Sequence, residues 1–232
     1  MRLAAALLAA AVGVKAAQAA TTDLVVHCDP PLAGPLRAVA AACLARTGVR
    51  LRIFATAPNG IPAQLAREIQ NDIVVTQPFV LAQIEALSLL AEAKRPGPWR
   101  SRMVIAQRAG ATPPPIGQAS LAAPDPGWGG GPDGPALLEG AALRPRAVQG
   151  TFDTAEAAGL LRADEVDYAL LHATELGDGL VAVGTPGLVS ELTYFAALTK
   201  SARRPNPEAL LRFLATPEAR AVLADSHLEA AA

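Results

Sequence analysis

The chain has only two cysteines, Cys28 and Cys43, among its 232 residues, which limits it to a single disulfide at most. Aromatic residues make up 4%, which argues against a stacking groove for sugars or bases and favours a small ligand held by backbone and short polar groups. No basic block is present and the formal net charge is -1, so nucleic acid is not an expected partner. No apolar run of membrane-spanning length follows residue 20. Gly-x-Ser-x-Gly, His-Glu-x-x-His and a phosphate-binding loop are all missing, which makes the chain a poor enzyme candidate. No cofactor is expected.

The first thing the chain does possess is a leader. Arg2 precedes the apolar run Leu3 to Val14, and Ala17-Gln18-Ala19 supplies the small-x-small pattern of a signal-peptidase site. The run is too short to span a bilayer. We therefore expect residues 1–19 to be removed and the remainder to work in the periplasm, away from ATP, nicotinamide cofactors and reducing buffer. A little over 210 residues then remain, enough for one large or two small α/β lobes.

Strand and helix patterns alternate along this mature part. Leu24 to His27 is a continuous apolar run suited to a parallel strand covered on both faces. Leu36, Val39, Ala40, Cys43 and Leu44 then mark one helical face, with Gly48 placed for a left-handed cap. Arg50 to Ala55 and Asp72 to Thr76 read as strands, and Pro62 to Ile69 and Phe79 to Leu90 as helices. Such alternation predicts right-handed βαβ units and mainly parallel sheets with flanking helices. The register changes at Arg95-Pro96-Gly97-Pro98-Trp99, and Ser101 to Gln107 reads as a strand crossing into a second lobe.

Beyond it, Ser120 to Ala123, Arg146 to Gln149 and Val166 to Leu171 read as strands, and Pro135 to Gly140 and Thr154 to Arg162 as helices. Asp153 is placed as the cap of the latter helix, with Glu156 three residues on for a capping box. Val189 to Thr199 reads as the return crossing, and Pro207 to Ala224, capped by Asn206, as closing helices. The predicted organisation is therefore residues 20–98 plus 190–232 in one lobe and 99–189 in the other. If the first helix runs back along the first strand, Cys43 lies about 15 Å from Cys28, too far to bridge. Two buried free thiols, or Cys28 as a ligand-site thiol, are then the alternatives.

Several segments, in this order, carry a resemblance. They are Gln64-Leu65-Ala66-Arg67-Glu68-Ile69 followed by Asn71-Asp72-Ile73-Val74-Val75, then Ser101-Arg102-Met103-Val104-Ile105-Ala106, Leu121-Ala122-Ala123-Pro124-Asp125-Pro126, Glu165 to His172 and Pro207 to Leu223. Across nearly the whole mature chain the sequence resembles the periplasmic molybdate-binding protein family. These are substrate-binding components of oxyanion ABC importers with the type 2 periplasmic binding protein fold. The resemblance implies two lobes joined by two crossing strands, a ligand in the cleft, hinge closure, and a membrane permease as partner of a monomeric binding protein.

The resemblance also implies where the ligand sits. Helix starts offer unpaired donors and a positive dipole end, and the matching ones lie near Pro31 to Leu36, at Asn59 and Gly60, at Gly131 to Pro135, and at Asp153 and Thr154. A family tyrosine aligns with His172. The two family serines are missing, one falling on or beside Pro31 and the other within Ala57-Pro58-Asn59-Gly60, while Asp29 brings a carboxylate to the place of an anion. Two unit charges about 4 Å apart in partly screened surroundings repel by about 4 kcal/mol, which counts against molybdate itself.

Each candidate has a plain structural alternative. Asp29 suits a turn cap, Asn59 a turn, His172 a buried structural histidine, and Trp128 and Asp133 a Gly-rich surface loop. His27 and Cys28 are adjacent on a strand and point to opposite faces, so they do not share a metal ion. Glu165, Asp167 and Glu175 are expected to be solvated. The sequence thus favours capture of a small polar ligand, a molybdate-like oxyanion or small carboxylate, without chemistry. The alternative is an exported enzyme or a ligand-free scaffold on the same fold.

Overall fold

A computed structural model describes residues 22–67, 70–92, 95–125, 134–183 and 191–230. The leader, Trp128, Gly131 and Asp133 lie outside the described residues. Strand β1 (Thr22–Cys28) pairs in parallel with β2 (Val49–Ala55) on one side and β3 (Ile73–Thr76) on the other. From Leu24 to Cys28 every residue is buried, as expected of a strand flanked by others and covered on both faces. Helix α1 (Ala33–Thr47) buries Leu36, Val39 and Cys43 against this sheet. It ends at Gly48, whose φ of 70° lets its N–H close on the Leu44 carbonyl.

The second half repeats the plan. Strand β5 (Ser120–Pro124) lies in parallel between β6 (Ala147–Thr151) and β7 (Tyr168–His172). Two long strands join the halves: β4 (Trp99–Arg108) pairs with β7, and β9 (Glu191–Leu198) pairs with β3 and with β4. All of these joining pairings are antiparallel, so parallel pairing is confined to β1, β2 and β3 in one half and to β5, β6 and β7 in the other. The sheet order is β2-β1-β3-β9-β4-β7-β5-β6, with β8 (Leu180–Val183) and β10 (Glu229–Ala230) added to β4. The result is a two-lobed, mixed α/β fold with flanking helices.

Both halves start their strands with the same device. Asp72, just before β3, accepts the Val25 N–H of β1 at 2.8 Å and the Arg204 guanidinium at 2.9 Å. Asp167, just before β7, accepts the Ser120 N–H and hydroxyl of β5 at 2.7 and 2.8 Å. Each aspartate fixes the register of a parallel neighbour at the edge where the strands begin.

Several element ends differ from the sequence expectation. Helix α2 (Ile61–Ala66) ends within the described residues before Arg67. Helix α3 (Pro78–Ala86) stops four residues early, because Ser88 takes a left-handed φ of 58° and Leu90 turns out to bridge Thr199. In the second half, α4 (Gly134–Gly140) and α5 (Thr154–Arg162) stand where expected. The closing segment is two helices, α6 (Glu208–Leu214) and α7 (Pro217–Asp225). Pro217 has no N–H to continue a helix and instead opens a new one, capped by the Thr216 hydroxyl. Asn206 does not cap α6 with its side chain. It adopts a φ of 59° and accepts from Arg212. Both cysteines are free and buried.

Candidate functional site

Parallel strands end on one edge, and ligands of open α/β sheets gather there because helix starts and strand-end loops converge. In the first half the residues just past β1 and β3 are Asp29, followed by Pro30, and Gln77, which follows Thr76. The Asp29 carboxylate accepts the Thr76 hydroxyl at 2.5 Å on Oδ1 and the Gln77 amide at 3.3 Å on Oδ2. Only the backbone of Asp29 caps the 3-10 turn Pro30–Leu32, so the side-chain cap expected from the sequence is not formed. The side chain is 1% exposed, and burial lifts its pKa to about 6 against the pull of these hydrogen bonds. Pro31 is buried in the same turn and offers no N–H.

The second half contributes a matching arrangement. Thr154 opens α5, His172 ends β7, and Glu175 closes the 3-10 turn Ala173–Glu175. Glu175 accepts the Thr154 hydroxyl at 2.8 Å and the His172 backbone N–H at 2.9 Å. Burial pushes its carboxyl up to about 7. This corrects the expectation of a solvated Glu175: the side chain folds inward because two donors await it at the strand end. Burial also pushes the His172 imidazole down to about 3, so it is neutral at physiological pH, and its Nδ1 has no hydrogen-bond partner among the described residues.

The joining strands complete the cluster. Trp99 is paired with Tyr194, Ser101 with Leu192 and Met103 with His172, so Tyr194, Ser101 and His172 share one face of the sheet. The Tyr194 hydroxyl, the Ser101 hydroxyl and the Thr174 hydroxyl are buried without a hydrogen bond among the described residues. Burial raises the Tyr194 pKa most, and the charges of Asp29 and Glu175 raise it further. The halves are in contact here: a Cβ on Gly34 of α1 would lie 4.0 Å from the Thr174 carbonyl. Beside Thr174 a cavity of about 600 Å³ opens between Gly34 and Pro35, Leu180 and Ala182 of β8, and His227. That is the size of a small-solute pocket.

The remaining sequence candidates are not joined to this cluster. Asn59 is exposed and Gly60 half-buried in the 3-10 turn Pro58–Gly60 after β2, the outer strand of its half. The Asp153 carboxylate accepts the Glu156 N–H at 2.8 Å and is committed to capping α5. His27 stacks on Phe54 at 5.3 Å, while Cys28 packs in the core with Val26, so the two do face opposite ways. The Cys28 thiol is pushed up to about 12, chiefly by burial, which leaves it unreactive at neutral pH. Sequence reasoning missed Thr76, Gln77, Ser101, Thr174, Glu175 and Tyr194. The polar pair Thr76-Gln77 directly after a buried parallel strand was the one local signal available.

A family model described as bacterial extracellular solute-binding protein matches residues 24–229. No protein with a curated description matches in sequence. Among solved structures, the chain resembles the Azotobacter vinelandii periplasmic molybdate-binding protein, with a TM-score of 0.73 and 14% identity over 90% of this chain and 100% of that one. It also resembles the sulfate-binding protein SubI from Mycobacterium tuberculosis H37Rv, with a TM-score of 0.67 and 17% identity over 90% and 87% of the two chains. Iron-bound HitA from Pseudomonas aeruginosa is similar at a TM-score of 0.57 and 16% identity, over 88% and 84%. At these identities the likeness is one of fold.

Proposed function

The chain belongs to the bacterial extracellular solute-binding protein family, and from that premise we propose that it captures a small polar solute, an oxyanion or small carboxylate, between its two lobes. In this proposal residues 1–19 are a cleaved export signal, residues 20–98 plus 190–232 form one lobe and 99–189 the other. The monomeric periplasmic protein passes its solute to the permease of an ABC importer and performs no chemistry on it.

The observation that carries this reading is the set of buried polar groups at the strand ends and in the joining strands of two halves that touch at Gly34 and Thr174. Asp29, Thr76 and Gln77 belong to one half, Thr154, His172, Thr174 and Glu175 to the other, and Ser101 and Tyr194 to the joining strands. A buried polar atom without a partner costs about 1–3 kcal/mol. A solute that satisfies the Tyr194, Ser101 and Thr174 hydroxyls therefore stabilises the closed arrangement of the lobes. Charge contacts to a side chain are not required for this, since hydroxyls and strand-end N–H groups serve anions and neutral solutes alike.

A thermal-shift screen of the purified protein against molybdate, tungstate, sulfate, phosphate, small carboxylates and amino acids tests the proposal. A ligand at 100 times its dissociation constant adds about 2.7 kcal/mol, or roughly 5–11 °C at 2–4 °C per kcal/mol for a chain of this size. A shift with one solute class, lost in Tyr194→Phe plus Ser101→Ala, is the expected result. Flat responses to the whole panel would overturn it.

A further inference from the structure

The cavity beside Thr174 has a lining sorted by charge. Gly34 and Pro35, in the first turn of α1, stand on one side of it, and Asp225 to His227, where α7 ends, on another. A helix carries about half a positive charge at its start and about half a negative charge at its end. The cavity therefore lies between the positive end of one helix and the negative end of another. Thr174 adds a hydroxyl oxygen that is buried without a hydrogen bond among the described residues. Pro35, Leu176, Leu180 and Ala182 make the remaining wall apolar.

Asp225 strengthens the negative end. Its exposed carboxylate is in no ion pair among the described residues. The dipole repels an acid at a helix C-terminus, so Asp225 costs the fold stability where it stands. Among the described residues no lysine or arginine lines the cavity, and His227 is the other titratable group of the lining. The volume of about 600 Å³ is room for about twenty waters, of which a tetrahedral oxyanion would displace only a few. An occupant that uses this lining is larger, carries charge of both signs and has an apolar part.

Resting on the solute-binding reading above, we propose that the small carboxylate this cavity takes is an aliphatic amino acid, held as its zwitterion between the start of α1 and the end of α7. Its carboxylate meets the start of α1 and the Thr174 hydroxyl, its ammonium meets Asp225, and its side chain lies against Pro35, Leu176 and Leu180. Each charged end finds its complement without a side-chain cation. The contacts come from both halves: Leu176 and Leu180 pack with the second, and Ala33, Leu36 and Leu223, beside Gly34 and Asp225, pack with the first. Gly34 leaves the space between them free, since a Cβ there would already lie 4.0 Å from the Thr174 carbonyl.

Calorimetric titration of the purified protein near neutral pH with L-leucine, 4-methylpentanoate and isoamylamine compares the zwitterion with molecules that lack its amine or its carboxylate. Molybdate and sulfate are titrated beside them. The expected result is binding of L-leucine at least about tenfold tighter than of either fragment, because each fragment loses one charge-assisted contact. Asp225→Asn is expected to weaken L-leucine about tenfold and to leave 4-methylpentanoate unchanged. The same variant should keep or raise the ligand-free Tm, since it removes an acid from a helix end. Thr174→Val is the second variant and should weaken L-leucine and 4-methylpentanoate alike. Equal affinity for those two probes, or L-leucine binding unaffected by Asp225→Asn, would overturn this inference while leaving the small-carboxylate reading intact. A response to molybdate or sulfate with L-leucine silent would also overturn it and leave the solute-binding reading standing. Isoamylamine binding as tightly as L-leucine, with 4-methylpentanoate silent, would overturn both the inference and the acidic solute class. Silence of all five probes would end both.

Discussion

Glu175→Gln makes a sharp prediction for the ligand-free protein. The glutamate carboxyl has a pKa of about 7 in the fold against 4.5 in an unfolded chain, because burial outweighs its two hydrogen bonds. Its folded value is raised, so its contribution to stability is fully present below about pH 4.5 and is lost as pH rises through 7. A shift of about 2.5 units corresponds to roughly 3 kcal/mol lost at pH 8. Gln avoids that loss, and the weaker hydrogen bonds of a neutral group are already contained in the net shift. The variant should therefore be about 3 kcal/mol more stable than the parent at pH 8, a rise in Tm of roughly 6–12 °C, with the difference falling below about 1 kcal/mol near pH 5. Thermal denaturation of ligand-free protein at both pH values measures it. A variant destabilised at pH 8, or a difference unchanged between pH 5 and 8, would refute the claim that Glu175 is buried in its ionised form.

Asp72→Ala removes the partner of the half-buried Arg204 and leaves the buried Val25 N–H without its acceptor, so a loss of about 1–3 kcal/mol is expected in urea denaturation. Tyr194→Phe deletes a buried hydroxyl with no hydrogen bond among the described residues. It should leave ligand-free stability unchanged or raise it by about 1 kcal/mol, yet weaken binding of the screened solute at least about tenfold.

The fold was largely legible because its strands announce themselves without help from distant residues. Leu24 to Cys28 and Ile73 to Thr76 are short apolar runs, and burial on both faces is what such runs demand. Gly48 and the Asp153 to Glu156 cap were also legible, since both rest on local backbone geometry. Strand β8 was missed although Gly177, Asp178 and Gly179, all at positive φ, form the turn that leads into it. Strand β10 and the early stop of α3 depend on pairing with β4 and with Thr199, partners over a hundred residues away. The site divided along the same line. Asp29, Thr154 and His172 could be named as candidates because they stand at strand ends or helix starts, a property of position along the chain. Ser101 and Tyr194 could not, because a hydroxyl in a crossing strand becomes a site residue only when the other half of the molecule closes over it. Glu175 was misjudged for a related reason: its two donors come from α5 and from the end of β7.

The acids at the two edges of the sheet are held differently. At the edge where the strands begin, Asp72 holds an arginine and Asp167 is kept below the usual carboxylate range by Ser120. Both fix strand register. At the opposite edge, Asp29 and Glu175 are pushed the other way, against their own hydrogen bonds, by burial without a cation. The same fold therefore gives Asp72 a cation where it serves the scaffold and gives Asp29 and Glu175 only neutral donors. An arginine in place of Gln77 or Thr154 would relieve the charge, but it would also fill the meeting point and pre-empt whatever enters. Neutral donors hold the carboxylates in place without neutralising them.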